Sequence, residues 1–117
     1  YNSGEGAAKN KQKELEFIKA KNELLDIENQ IISLFALLKN NYKNALSSYS
    51  DQKTKVDLVE NVYSNEEKKL SHGASNSLTI SQRKMQLLQT KQALIQKEYE
   101  LYKSEVQLKT HTNPIQL

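Results

Sequence analysis

The chain has 117 residues, which predicts one domain at most. Charged residues make up 26% of it and apolar residues 37%, with only three Gly, one Pro and no Cys. So few turn-forming residues exclude an all-β sandwich or barrel. The lack of Cys excludes disulfides and thiolate chemistry, and two His leave little from which to build a catalytic or zinc site. The composition is typical of long helices, and we expect no enzymatic activity and no cofactor.

The charge pattern argues against a nucleic-acid-binding surface. The net charge is +3, but 17 basic and 14 acidic residues are interspersed. No block of five or six like charges occurs, so the sequence predicts no nucleic-acid partner. The longest purely apolar run, Leu34 to Leu38, is far shorter than the roughly 18 residues that span a membrane, and no signal peptide is visible.

The first two thirds of the chain predict a flexible lead-in and one long helix. Residues 1–6 are small and polar, whereas residues 7–70 contain neither Gly nor Pro. Apolar residues recur there at alternating spacings of three and four, which predicts a coiled-coil helix. Only Gln52 and Glu66 are polar among these heptad positions, and we expect them to fix the register of pairing. The heptad positions are Ile31, Phe35, Leu38, Tyr42, Ala45, Tyr49, Gln52, Val56, Val59, Tyr63, Glu66 and Leu70.

A turn and a second helix follow. The turn is predicted at 71–77, where Gly73 can supply a left-handed helix cap and the Ser and Asn residues after it can cap the next helix. The second helix is predicted at 78–113, and Pro114 ends it, which leaves 114–117 as an exit segment. Its apolar stripe is wider than a two-stranded pairing needs. One row is Ile80, Leu87, Leu94, Leu101 and Leu108, and the second is Leu88, Ile95, Tyr99, Tyr102 and Val106.

These elements predict an all-α fold: a long antiparallel helical hairpin of coiled-coil type with unequal arms. The first arm would reach roughly 95–100 Å and the second about 50 Å, so the second can cover only the half of the first that adjoins the turn. Core aromatic residues are predicted at Tyr42, Tyr49, Tyr63, Tyr99 and Tyr102. The other half of the first helix should meet another chain or a further segment. Its apolar residues include Ile27, Ile31, Ile32, Leu34, Leu37 and Leu38.

Two features that could carry a function have simpler interpretations. The leucine heptad of the second helix could indicate a DNA-binding zipper, but a Ser/Asn turn precedes it instead of a basic region, and Arg83 is the only Arg. His72 and His111 could bind a metal ion, but neither has a second ligand at helical spacing. We therefore interpret the heptad as packing and both His as solvated residues near helix ends.

The order of residues around the turn resembles a known family. Val62, Tyr63, Glu67, Leu70 and Gly73 occur in the order seen at the tip of the periplasmic hairpin of TolC-type outer membrane factors. The sequence departs from the family at Thr79, where Asp is common, and at Ser81, where an apolar residue is usual, so we do not carry a charged gating ring over to this tip. The resemblance continues through Ser77, Leu78, Ile80, Leu87, Tyr99 and the closing Asn113-Pro114-Ile115.

The resemblance implies a transport component without chemistry of its own. Such hairpins form the α-barrel of a trimeric channel-tunnel for efflux or type I secretion, to which a periplasmic adaptor links an inner-membrane pump. The chain would belong to the periplasmic portion of an outer membrane protein, with membrane contact only through barrel strands outside this sequence. The adaptor would dock on the hairpin tip, which consists of Leu70, Ser71, His72, Gly73, Ala74, Ser75, Asn76 and Ser77.

Two other classes remain open from the sequence. The first is the hairpin of a periplasmic adaptor, which also has a Gly-Ala-Ser-like tip but usually has arms of near-equal length and flanking halves of a lipoyl domain. The second is a structural coiled-coil scaffold of the cytoplasm, for which a sharp single-Gly tip is less expected.

Overall fold

The computed structural model describes residues 3–112, which form two helices joined by a short turn. Helix α1 is Ser3–Ser71, with 69 residues, and helix α2 is Ser77–Thr112, with 36 residues. No strand occurs in this part of the chain. The predicted all-α class and the hairpin of two long helices are therefore confirmed.

The chain divides into two units, and the second contains the hairpin. The first unit, Tyr1–Leu37, contributes only the beginning of α1 to the described residues, and its large apolar side chains are all exposed. They are Leu15, Phe17, Ile18, Leu24, Leu25, Ile27, Ile31, Ile32, Leu34, Phe35 and Leu37. The second unit, Leu38–Leu117, includes the rest of α1, the turn and α2.

The helices begin and end at residues that differ from the predicted ones. Helix α1 already begins at Ser3, so residues 3–6 are helical and not part of a flexible lead-in. Glu5 lies in the first turn, where a negative charge favours a helix start and offsets part of the low helix propensity of Gly4 and Gly6. The turn is limited to residues 72–76, since helix caps define it on both sides. Residues 1–2 and 113–117, including the predicted exit segment, lie outside the described residues.

The two helices of the second unit pack along the predicted heptad of α1. Leu38, Val56 and Val59 are buried, and the other heptad positions from Tyr42 to Glu66 are half-buried. Leu38 was expected to lack a partner within the chain; this prediction is wrong, because Leu38 belongs to the unit that contains α2 and is only 8% exposed. We call the following α1 residues, with the α2 residues that face them, the seam: Leu38, Tyr42, Ala45, Tyr49, Gln52, Val56, Val59, Tyr63 and Glu66.

On α2 the seam is apolar on one side and polar on the other. The seven-residue row contributes as predicted, with Leu87 buried and its other members half-buried. Between these residues lie Thr90, Lys97 and Ser104, and the two hydroxyl residues are as buried as Leu87. Their hydroxyls donate within α2, Thr90 Oγ1 to Gln86 O at 2.7 Å and Ser104 Oγ to Leu101 O at 2.8 Å. Small, internally hydrogen-bonded side chains can thus be buried without an unpaired polar group.

Three side-chain contacts fix the antiparallel register. Gln52 Nε2 donates to Thr90 O at 3.1 Å, and Lys91 Nζ lies 3.1 Å from Glu60 Oε1. Nearest the turn, Ser75 Oγ donates to Glu66 Oε1 at 2.9 Å. From Gln52 to Glu66 the α1 residue moves toward the turn, and its partner moves from residue 90 to residue 75, also toward the turn, which is the pattern of an antiparallel pair. Gln52 and Glu66 therefore each bond across the hairpin, in agreement with their predicted role in register.

The second apolar row of α2 lies outside the seam. Tyr99 and Tyr102 were expected in the core; this is wrong, because they are 60% and 66% exposed, whereas Tyr42, Tyr49 and Tyr63 are half-buried. At about 100° per residue the second row lies roughly 150° around α2 from the seam, so one partner helix cannot cover both. We call these exposed residues the outer row: Leu88, Ile95, Tyr99, Tyr102 and Val106.

The adjacent residues Leu87 and Leu88 provide a matched test of the seam. Leu87 is 8% exposed and Leu88 is 54% exposed. We expect Leu87→Ala to lower the free energy of unfolding by about 2 kcal/mol, the low end for a buried Leu because two helices alone surround it. Leu88→Ala should change the free energy of unfolding by less than about 0.5 kcal/mol. Urea unfolding of dilute protein, followed by circular dichroism, measures both, and equal losses would contradict the described seam.

Candidate functional site at the hairpin tip

A pair of backbone hydrogen bonds closes the end of α1 at the tip. Gly73 has φ +74°, in the left-handed region that favours glycine. Its N–H donates to Leu70 O at 3.1 Å, and the N–H of Ala74 donates to Lys69 O at 2.8 Å. These bonds form a Schellman motif, which satisfies the carbonyl groups at a helix end. The predicted glycine cap is confirmed.

The start of α2 has its own cap, one residue beyond Ser75. Asn76 Oδ1 accepts a hydrogen bond from the Thr79 N–H at 2.9 Å, and Asn76 O accepts one from the Ile80 N–H at 3.2 Å. An Asn side chain bonded to the third residue of a helix is a favoured N-cap. Two complete caps thus meet within five residues, which gives the hairpin a short and well-defined tip.

The predicted tip residues come together at this end of the hairpin, and nearly all are exposed. Leu70 and Ser71 end α1, residues 72–76 connect the helices, and Ser77 begins α2. Ser75 is the one half-buried member of the predicted set. The prediction omitted Leu78, which is 68% exposed beside the turn. Its position just after the Asn76 cap, outside the seam spacing, is the signal that could have identified it.

The tip and the first half of α2 form a basic region. From residue 68 to residue 97 the sequence has six basic residues and no Asp or Glu. They are Lys68, Lys69, Arg83, Lys84, Lys91 and Lys97. The exposed surface at the tip therefore combines apolar side chains, Leu70 and Leu78, with positive charge.

The titratable side chains near the tip do not gather into a metal site. Within residues 3–112 no group of three His, Asp or Glu lies together so that it could hold a metal ion, and His72 and His111 are both exposed. A shifted pKa occurs far from the tip. Near the end of α2, the hydrogen bond with Glu105 and the negative charge of that residue raise the pKa of Lys109 above its ordinary value.

Comparisons with known proteins do not assign this chain to a family. No protein-family model, no curated protein and no solved structure matches this chain. Over the described residues, neither helix has a stretch that is both apolar enough and long enough to cross a membrane.

Gly73 allows the geometry of the tip to be tested. A Cβ at residue 73 would meet no atom within 4 Å, so any effect of Gly73→Ala comes from the backbone conformation. We expect this substitution to lower the free energy of unfolding by about 1 kcal/mol, and Gly73→Asn to lower it less, since Asn tolerates the left-handed region.

Gly6→Ala is the control, because Gly6 is helical and its Cβ would also be unobstructed. It should not lower the free energy of unfolding, since Ala has the higher helix propensity. Urea denaturation compares the variants, and a Gly73→Ala protein as stable as the wild type would contradict the left-handed cap.

Proposed function

We propose that this chain is the periplasmic hairpin of a TolC-type outer membrane channel-tunnel, with a periplasmic adaptor docking at its tip. The observation that carries the proposal is the presence of two apolar faces on α2. The seam uses one face within the chain, and the outer row leaves the other exposed. A helix in the wall of a closed tube needs apolar faces on both sides, because it packs against a neighbour on each.

The charges of the hairpin support side-by-side packing of several copies. Residues 51–67 of α1 have five acidic and two basic residues, whereas residues 83–97 of α2 have four basic and no acidic ones. When hairpins stand side by side in the same direction, α2 of one faces α1 of the next. A basic edge then meets an acidic edge at each contact, which favours this arrangement over a face-to-face pair of identical edges.

The small amount of buried apolar surface also supports an assembly. Among the described residues no large side chain is fully buried, and the first unit exposes every large apolar side chain that it has. Exposed apolar surface of this extent marks an interaction site. In the proposed channel these side chains pack against other helices of the trimeric tube.

The proposed mechanism is conduction, not catalysis. Hairpins form the wall of a tube that crosses the periplasm, and the tip forms its end. The tip residues, Leu70 to Ser77, contact the adaptor, which connects the tube to an inner-membrane pump. The end of the tube opens when helices shift against one another at the seams. The chain would thus act as the periplasmic portion of an outer membrane protein.

One observation favours a second candidate, the hairpin of an adaptor. Within the second unit the part of α1 from Leu38 to Ser71 and the whole of α2 are nearly equal in length, as in adaptor hairpins. The full α1 is nearly twice as long as α2, and this inequality is the feature that favours the channel.

A cysteine at the tip distinguishes these candidates. The chain has no Cys, so every disulfide of an Ala74→Cys protein reports residue 74. We expect Ala74→Cys to form a disulfide in cells with an adaptor that carries a single Cys at its own hairpin tip, because tip-to-tip docking brings both thiols together. Gln96→Cys is the control, since Gln96 is exposed on α2 well beyond the tip and should give no adduct.

The other outcomes have definite meanings. An adduct with the periplasmic end of an outer membrane channel, and none with the adaptor, would assign the chain to the adaptor class. No adduct with either, in protein that is folded and assembled, would overturn docking at the tip and favour the scaffold class. The products are identified by mass spectrometry of the non-reduced complexes.

A further inference from the structure

The backbone hydrogen bonds of the tip belong to two separate groups that meet at Ser75. The bonds of His72, Gly73 and Ala74 all end on carbonyl groups of α1. The bonds of Thr79 and Ile80 both end on Asn76, at the start of α2. Among the described residues no backbone hydrogen bond joins one group to the other. Neither cap therefore fixes the backbone conformation of Ser75, and contacts outside the caps must hold the two of them together at the turn.

One side-chain contact spans this junction. Ser75 Oγ donates to Glu66 Oε1 at 2.9 Å, and the two residues are nine positions apart. A hydroxyl bonded to a carboxylate is stronger than a bond between neutral groups. Ser75 is also the one half-buried residue of the turn, in accordance with this contact.

The surroundings of Glu66 hold its carboxylate in place. Its side chain is only 12% exposed, because it occupies a seam position one heptad beyond Val59. Its second oxygen, Oε2, lies 3.7 Å from Lys69 Nζ, so a positive charge lies beside the carboxylate. Most other α1 positions of the seam are apolar or aromatic, so packing alone does not account for a carboxylate at this one.

We propose that Glu66 is the positioning residue of the tip: by binding Ser75 it locks the two caps into one rigid turn. The lock keeps Leu70, Ala74 and Leu78 in a fixed arrangement on the exposed surface. A preorganised surface loses less conformational freedom on binding, which increases affinity. The lock itself needs no partner. Its effect on docking rests on the proposed function.

Hydrogen exchange of the tip amides tests the lock in the 117-residue chain. In Glu66→Ala and in Ser75→Ala we expect the amides of Ala74, Thr79 and Ile80 to exchange about fivefold faster, because each cap can then fray alone. The double variant should exchange no faster than either single one, since both substitutions remove the same bond. Glu67→Ala is the matched control, because Glu67 is the exposed neighbour and should leave these amides unchanged.

Two further readouts separate the lock from general destabilisation. Amides of the central seam, at Val56 and Leu87, report opening of the whole hairpin, so the ratio of tip exchange to seam exchange isolates the tip. Glu66→Gln retains an oxygen acceptor in the same place and should restore most of the protection, whereas a purely structural loss would not be restored. Ser75→Ala keeps the test valid if Glu66→Ala does not fold.

Unchanged tip exchange in both single variants, or additive effects in the double variant, would overturn the proposal. The docking part is read separately from the disulfide yield of Ala74→Cys with the adaptor. If Glu66→Ala raises tip exchange, and adding Glu66→Ala to Ala74→Cys lowers the disulfide yield, the lock prepares the docking surface. If exchange rises and Ala74→Cys gives no adduct even with Glu66 present, the lock stands and the proposed function fails.

Discussion

The seam between α2 and the second half of α1 is the contact on which the rest of the structure depends. Most helical stability in proteins comes from packing one face of the helix, so the order of α2 depends on burying one face against α1. Yet that face also includes the polar residues Thr90, Lys97 and Ser104, and its apolar contribution comes mainly from a single row of Ile and Leu. The seam is therefore narrow, and its packing alone defines the register of the two helices only loosely. Cross-helix hydrogen bonds, such as that from Gln52 to Thr90 O, specify this register.

The narrow seam also explains why α2 has an unused apolar face. Residues of the outer row lie too far around the helix to reach α1, and Ile95 and Tyr102 are among the most exposed apolar residues of the chain. A two-helix hairpin gains nothing from this second row, whereas a continuous wall of helices requires it. The charge difference between the two edges then gives such a wall a direction. Packing within the chain and the proposed packing between chains are thus two parts of one pattern.

The sequence was sufficient for the helices, the seam on α1 and both caps, because each has a local signal. Heptad spacing defines the α1 face. Gly73 marks the end of α1, because few residues other than Gly adopt the left-handed conformation found there. Tyr99 and Tyr102 were assigned wrongly because spacing reveals two apolar rows without showing which one faces the partner. The bond between Ser75 and Glu66 was also beyond sequence reasoning, since it depends on how the turn folds back. The beginning of α1 at Ser3 was missed because two Gly suggested a lead-in where the helix continues.

The antiparallel register of the seam is the central claim, and a zero-length cross-link tests it in the unmodified chain. A carbodiimide joins a carboxylate to an amine only when the two are in contact, as Glu60 and Lys91 are at 3.1 Å. Mixed light and heavy isotope-labelled protein separates links within a chain from links between chains. We expect an intramolecular Glu60–Lys91 link as a main product in mass spectrometry. Links from Glu60 to Lys97 instead, or a Glu60–Lys91 link found only between chains, would contradict this register.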